Sequence, residues 1–182
     1  MLIGITGRKG SGKDSFAAYL NATTVKMADP LKNMLRSLLH DADVPARDIE
    51  RMIEGDLKEV PCDALNGATP RRAMQTLGTE WAKMIDHTHT LWSKIWRRHV
   101  ESLLQDGVPV VCTDIRFEHE AAEVRALGGT LIRIVRPSVE ATDFHPSERE
   151  MEGIEVDETI YNTGTLEDLQ SQATEVVRGL NR

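Results

Sequence analysis

Gly7-Arg8-Lys9-Gly10-Ser11-Gly12-Lys13-Asp14-Ser15 is the stretch that decides the fold. It follows an apolar run, Leu2-Ile3-Gly4-Ile5-Thr6, that reads as a buried strand. It precedes Lys13 to Asn21, where Phe16, Ala17 and Leu20 share one helical face. Strand, glycine-rich turn and helix are the setting in which G-x-x-x-x-G-K-[ST] means a phosphate-binding loop. Glycines at 7, 10 and 12 permit backbone angles that aim successive N–H groups at a phosphate. The following helix adds the positive end of its dipole, and Lys13 adds a mobile charge for β- and γ-phosphates. Gly7, Lys9, Gly10, Ser11, Gly12 and Lys13 are therefore candidate nucleotide ligands; the bland alternative is a turn that merely joins strand to helix. The pattern breaks at its last place, where Asp14 replaces the hydroxyl. Either Asp14 approaches Mg²⁺ directly or through water, or Ser15 supplies the hydroxyl from a slightly shifted loop.

Working outward, Thr24 to Ala28 reads as a second strand and Pro30 opens a helix to about His40. From Val44 to Gly67 the pattern weakens to one short helix, about Arg47 to Ile53, and a loop. Helices are expected over Thr69–Ile85 and Thr90–Gln105, and a central strand over Val108–Thr113 that runs into Asp114. Next come a helix over Glu118–Leu127, a strand over Thr130–Val135 and a charged, proline-bearing surface segment over 136–156. A last strand spans Glu158–Asn162, and Thr165-Leu-Glu-Asp168 has the form of a capping box opening a helix to about Gly179. Strands alternate with helices and are continuous apolar runs, which predicts an α/β three-layer domain with a parallel sheet of about five strands.

Composition sets outer bounds. The 182 residues suit one domain or a domain with an insertion. Lys and Arg total 22 against 29 Asp and Glu, a net charge of −7, which argues against nucleic-acid polymers and anionic membranes as partners. A small anionic ligand responds to a local cluster and stays admissible. No apolar run approaches the ~20 residues of a membrane span, and a secretion signal is not evident at Met1. Cys62 and Cys112 form no CxxC and read as buried apolar residues in a reducing compartment, so a cytoplasmic protein is expected. The six histidines show no zinc-site spacing.

Several stretches together carry a family likeness: GRKGSGKDS, MADPLK at 27–32, PRRAMQTLGTEW at 70–81, CTDIRFEHEA at 112–121, LGGTLIRIVRP at 127–137, HPSE at 145–148 and YNTGTLEDL at 161–169. The chain resembles the phage-type deoxynucleoside monophosphate kinases from its first strand to its last helix; between Asp41 and Gly67 no specific motif contributes. The resemblance implies a P-loop kinase fold with a helical acceptor-binding insertion (about 41–105) and a lid-like segment (about 136–156). It implies transfer of the γ-phosphoryl of ATP to a deoxynucleotide 5′-phosphate with Mg²⁺, in a phage- or prophage-encoded protein. Asp after the loop lysine is tolerated in that family.

Residue chemistry supplies the remaining candidates. Asp29, at the expected end of the second strand, would order Mg²⁺ waters or orient the acceptor, or else cap the next helix. Lys32 would meet phosphate or face solvent. Arg71 and Arg72 suit a phosphate monoester through the planar guanidinium fork, and two neighbours on one helix cannot both reach it. The family likeness favours an acceptor-phosphate role there, with Gln75 and Thr79 as base or sugar contacts; Trp81 and Trp92 suit packing. Asp114 holds the place of a Walker-B carboxylate or a helix cap, and Arg116 lies close enough to pair with it or touch phosphate. Arg136 and Arg149 would neutralise transition-state charge from a lid docked by His145 and Glu148. Asn162 to Thr165 would hold adenine or simply make a strand-to-helix turn. The tryptophan-bearing 90–105 helix offers either a core face or a homodimer interface. Two other functions fit parts of the pattern: a P-loop kinase with another acceptor, such as dephospho-coenzyme A, and a nucleotide-binding switch that phosphorylates no small acceptor.

Overall fold

A computed structural model describes residues 1–139 and 146–180, with backbone only over 146–149. It divides into two compact units, residues 1–27 with 96–182, and residues 28–95.

The first unit is built on five parallel strands: β1 (Leu2–Thr6), β2 (Thr23–Thr24), β3 (Val110–Ile115), β4 (Thr130–Val135) and β5 (Glu158–Tyr161). Their order is β2-β3-β1-β4-β5, so β1 lies in the middle and all five of its residues are buried. Its register pairs Ile3 with Val111 on one side and with Thr130 on the other. Because side chains alternate across a strand, the sheet has two apolar faces. Leu2, Val110, Cys112 and Leu131 meet Trp96 and Val100 of α6 (Leu91–Gln105) and Ala121 and Val124 of α7 (Glu118–Ala126). Ile3, Ile5, Val111, Ile132 and Ile134 meet Phe16 and Ala17 of α1 (Lys13–Ala18) and Leu169, Ala173 and Val176 of α9 (Leu166–Leu180). This is the expected three-layer arrangement. Trp96, fully buried, satisfies its indole by donating to the Val25 carbonyl at 2.9 Å.

Several boundaries move. β2 is two residues long, not five, because the Met27 N–H leaves the ladder for the Asp114 carboxylate at 2.8 Å. β3 runs past Asp114 to Ile115, and α7 is capped at Phe117, so Asp114 does not cap a helix. Part of the expected irregular segment is helical: α8 (Pro146–Gly153) carries a buried Met151. Cys112 is buried, whereas Cys62 is only half-buried. Thr165 and Asp168 do form the capping box, with Thr165 N–H donating to Asp168 at 2.8 Å and Asp168 N–H to the Thr165 hydroxyl at 3.2 Å.

The second unit contains α2 (Asp29–Asp41), α3 (Ala46–Glu54), α4 (Pro70–Thr76) and α5 (Ala82–Ile85). α2 begins at Asp29 with Ala28 at the N-cap, so Asp29 is a first-turn residue and not the cap. Leu35 and Leu39 of α2 pack on Ile49 and Ile53 of α3, and Ala73, Met74 and Leu77 close over them. Between α4 and α5 the helix widens into a π turn over Leu77–Trp81. Trp81 stacks on Trp92 with ring centres 5.8 Å apart, which agrees with packing. No helix among the described residues is long and apolar enough to cross a membrane.

Leu38 and Leu39 are neighbours on α2 with opposite fates, 51% and 0% exposed. Leu39→Ala should therefore lose about 2–5 kcal/mol, and Leu38→Ala no more than about 0.5 kcal/mol, in urea denaturation followed by circular dichroism.

Candidate active site

The phosphate loop leaves β1 at its C-terminal end. Thr6, the last residue of the strand, ties it to the end of β3 by donating its hydroxyl to the Ile115 carbonyl at 2.9 Å. Gly7 then takes φ +137°, and a Cβ there would lie 2.3 Å from the Ile134 carbonyl oxygen of β4. No side chain fits. Gly12, at φ +101°, is hemmed in from the other side, since its Cβ would come 2.5 Å from Asn162 Nδ2. That amide donates to the Ser11 carbonyl at 2.9 Å, so a residue after β5 clasps the loop.

Within this frame the loop closes by Ser11 N–H donating to the Arg8 carbonyl at 3.1 Å, and the Lys13 ammonium donates to the carbonyls of Gly7 and of Arg8, the latter at 2.8 Å. Ser11 Oγ is buried without a hydrogen-bond partner among the described residues. An orphaned hydroxyl, three glycines with positive φ (Gly7, Gly10, Gly12) and a lysine ammonium over the loop fit the phosphate chain of a nucleotide. Lys9 and Ser15 are exposed.

Asp14 follows in the first turn of α1. Its Oδ1 accepts the Thr113 hydroxyl at 2.8 Å and the Lys26 ammonium at 3.1 Å. Burial pushes this carboxyl up, but the hydrogen bonds from Thr113 and Lys26, with the charges of Lys26 and Lys13, outweigh it and hold Asp14 below the ordinary aspartate value. The side chain is 75% exposed and oxygen-only, a donor suited to a hard cation that keeps most of its waters. Asp114 points to the opposite face of β3, where its Oδ1 accepts the Met27 N–H and, at 3.2 Å, the Cys112 thiol. Burial, followed by the Asp114 charge, pushes that thiol well up.

The turn after β3 is shaped by Glu120, whose Oε2 accepts the N–H groups of Arg116 at 2.7 Å and Phe117 at 3.1 Å. Withdrawal from water is the largest effect on this carboxyl, and with the Asp114 charge it moves the value from 4.5 to about 7. Arg116 itself is exposed and makes no ion pair among the described residues, so the expected pairing with Asp114 is not formed. On the β4 side a cavity of about 410 Å³ is lined by Gly7, Arg8, Ser11, Arg133, Arg136 and Glu152, among others. Arg8 is paired with Glu152 of α8, and Arg133 donates to the carbonyls of Met151 and Ile154. Arg136 is exposed at the end of β4.

In the second unit Lys32 forms an ion pair with Glu54 at 2.7 Å, and Arg71 is held by Glu59. Arg72 is exposed, with no ion-pair partner among the described residues, while its N–H meets the N-cap hydroxyl of Thr69. Gln75 is exposed, and the Thr79 hydroxyl donates to the Gln75 carbonyl at 2.8 Å. His145 and the side chains of Glu148 and Arg149 lie outside the described residues. Sequence reading missed Thr113, Lys26, Glu120 and Glu152. No sequence signal marks the first, because the β1–β3 register shifts between Cys112 and Ile115, where alternation no longer fixes the side each residue faces.

Comparison with known proteins gives a consistent answer. The sequence profile of the deoxynucleotide monophosphate kinase family matches residues 45–173. A protein of Acanthamoeba polyphaga mimivirus bearing that same description is 33% identical over 94% of this chain and 93% of its own length. The deoxynucleotide monophosphate kinase of Escherichia phage RB69 is 36% identical over 59% of this chain, a match that spans 44% of the phage protein. Among solved structures, shikimate kinase from Aquifex aeolicus superposes with a TM-score of 0.51 at 12% identity, covering 100% of this chain and 98% of that one, a likeness of fold alone.

The raised value at Glu120 has a thermodynamic consequence. Between 4.5 and about 7 the folded protein holds a proton that the unfolded chain has released, so stability falls as pH rises through that window. Glu120→Gln keeps a single oxygen for both N–H groups and carries no charge. It should abolish this component, on the order of 3 kcal/mol between pH 4.5 and 8, in denaturation curves compared with wild type.

Proposed function

The chain belongs to the deoxynucleotide monophosphate kinase family, and on that premise we propose that it passes the γ-phosphoryl group of ATP to a deoxynucleoside 5′-monophosphate, giving the diphosphate. The observation that carries this reading is the family match over residues 45–173. That span excludes the phosphate loop at 7–15, so the family match and the loop geometry are separate observations, and both support this reading.

Phosphoryl transfer needs in-line positioning and charge neutralisation more than covalent chemistry. The loop N–H groups, Ser11 and Lys13 would hold the donor phosphates, with the ammonium following the charge that builds on the transferring group. Asn162 serves by keeping the loop closed, and Thr165 by capping α9. Bound Mg²⁺ would neutralise phosphate charge, and Asp14 is the carboxylate we assign to it first, with Asp114, at the far face of β3, second. Arg116 and Arg136, both without ion-pair partners among the described residues, are the guanidiniums best able to meet the transferring group. Asp29, Lys32, Gln75 and Thr79 belong to the acceptor side in this reading, as do His145 and Glu148 in the lid. The phage and mimivirus relatives support a virus-encoded enzyme.

Of the two adjacent arginines, Arg72 is the better acceptor-phosphate ligand, because Glu59 already occupies Arg71. Arg72→Ala should raise KM for the deoxynucleotide about tenfold or more, and Arg71→Ala by clearly less.

The reaction is tested by following ADP release with each of the four deoxynucleoside monophosphates, the matching ribonucleotides and dephospho-coenzyme A. Release that rises only with a deoxynucleotide supports the proposal; release indifferent to any acceptor, or greatest with dephospho-coenzyme A, overturns it. Lys13→Ala should cut turnover by at least about 10²-fold with an unchanged circular dichroism spectrum.

A further inference from the structure

The hydrogen bond between Thr113 and Asp14 has a feature that the family reading does not use. In the usual phosphate loop, a Ser or Thr hydroxyl after the lysine and a carboxylate from a neighbouring strand converge on one cation. Here the residue after the lysine is Asp14, and the strand residue facing it is Thr113. Both chemical groups are present, and their places are exchanged.

Three observations show that the exchange is built and not incidental. Thr113 is 2% exposed, so its hydroxyl has no water alternative, and Asp14 Oδ1, at 2.8 Å, is the acceptor it uses. Lys26 approaches the same oxygen, so both donors crowd Oδ1 while Oδ2 accepts no hydrogen bond among the described residues. Asp114 is turned to the other face of β3 by the Met27 N–H and the Cys112 thiol, which leaves Thr113 as the strand's polar group on the loop side.

We infer that Thr113 is a positioning residue: its hydroxyl fixes the rotamer of Asp14 so that Oδ2 faces the metal of a metal–nucleotide complex. The inference rests on Asp14 being the metal carboxylate of the kinase reading. It assigns to a buried strand threonine the task of orienting the carboxylate that stands in the place of the usual loop hydroxyl.

The test uses the full chain and ADP, which binds without turnover, with Mn²⁺ as the probe metal read by electron paramagnetic resonance and EDTA as the metal-free control. Thr113→Val should weaken Mn²⁺-dependent ADP binding about tenfold and change binding in EDTA by less than about twofold. A merely structural threonine would move both or neither. Thr113→Ser should stay within about twofold of wild type, and Thr113→Ala takes the place of the valine variant if that protein does not fold. Asp14→Thr and Thr113→Asp should each lose metal-dependent affinity, and the double variant, which restores the usual polarity, should regain most of it.

Wild-type metal-dependent affinity in Thr113→Val, or a double variant no better than its poorer parent, overturns the inference. Impairment in Asp14→Asn beside an unaffected Thr113→Val removes the positioning role alone. An unaffected Asp14→Asn removes the carboxylate reading and the inference with it, while acceptor-dependent ADP release reports separately on the kinase activity.

Discussion

The carbonyl oxygen of Ile134 lies where a side chain at residue 7 would have to go, and the candidate site depends on that contact. β1 is the middle strand, flanked by β3 and β4, and it can release the chain only through the gap between their C-terminal ends. A residue with a Cβ would push the loop away from β4 and out of reach of Asn162. Glycine lets the backbone turn at φ +137° directly beside its neighbour. Every later placement inherits this turn, including the orphaned Ser11 hydroxyl, the return of the Lys13 ammonium over the loop and the start of α1 that sets Asp14 against Thr113.

How much of this was legible in the sequence depends on which force sets each feature. β1 and β4 coincide with their apolar runs because strands covered on both faces must be apolar throughout, a local signal. β2 shrinks to two residues because a carboxylate 87 positions away takes a ladder N–H, and no local pattern carries that. α8 went unrecognised because its charged residues mask a period that only the buried Met151 supports. The π turn at Leu77–Trp81 was invisible for a related reason: 70–85 has helical periodicity throughout, and a single wide turn does not interrupt it.

The same division runs through the site. Gly7, Gly12 and Lys13 were readable from type and spacing, since only glycine reaches those angles and only a long cation spans the loop. The sequence offers Asn162 as an adenine contact or a turn residue, whereas its hydrogen bond to Ser11 joins positions 151 apart and emerges only when β5 is placed beside β4. Asp114 drew attention because a carboxylate ending an apolar strand is conspicuous, while the threonine before it passed as a strand former. Geometry reverses the emphasis: Thr113 faces the loop and Asp114 faces away.

The net charge of −7 takes on a local meaning from the ion pairs. Arg8 is paired with Glu152, Lys26 with Asp14, Lys32 with Glu54 and Arg71 with Glu59. Cations that suit phosphate are thus held by carboxylates, and each of these pairs has at least one partner well exposed to water. Exposed pairs of this kind contribute roughly 0–1 kcal/mol to stability. A nucleic-acid polymer would have to neutralise many charges across a surface that is acidic overall. Part of the acidic excess thus acts locally, within each unit, on carboxylates that fix the direction of these four basic side chains.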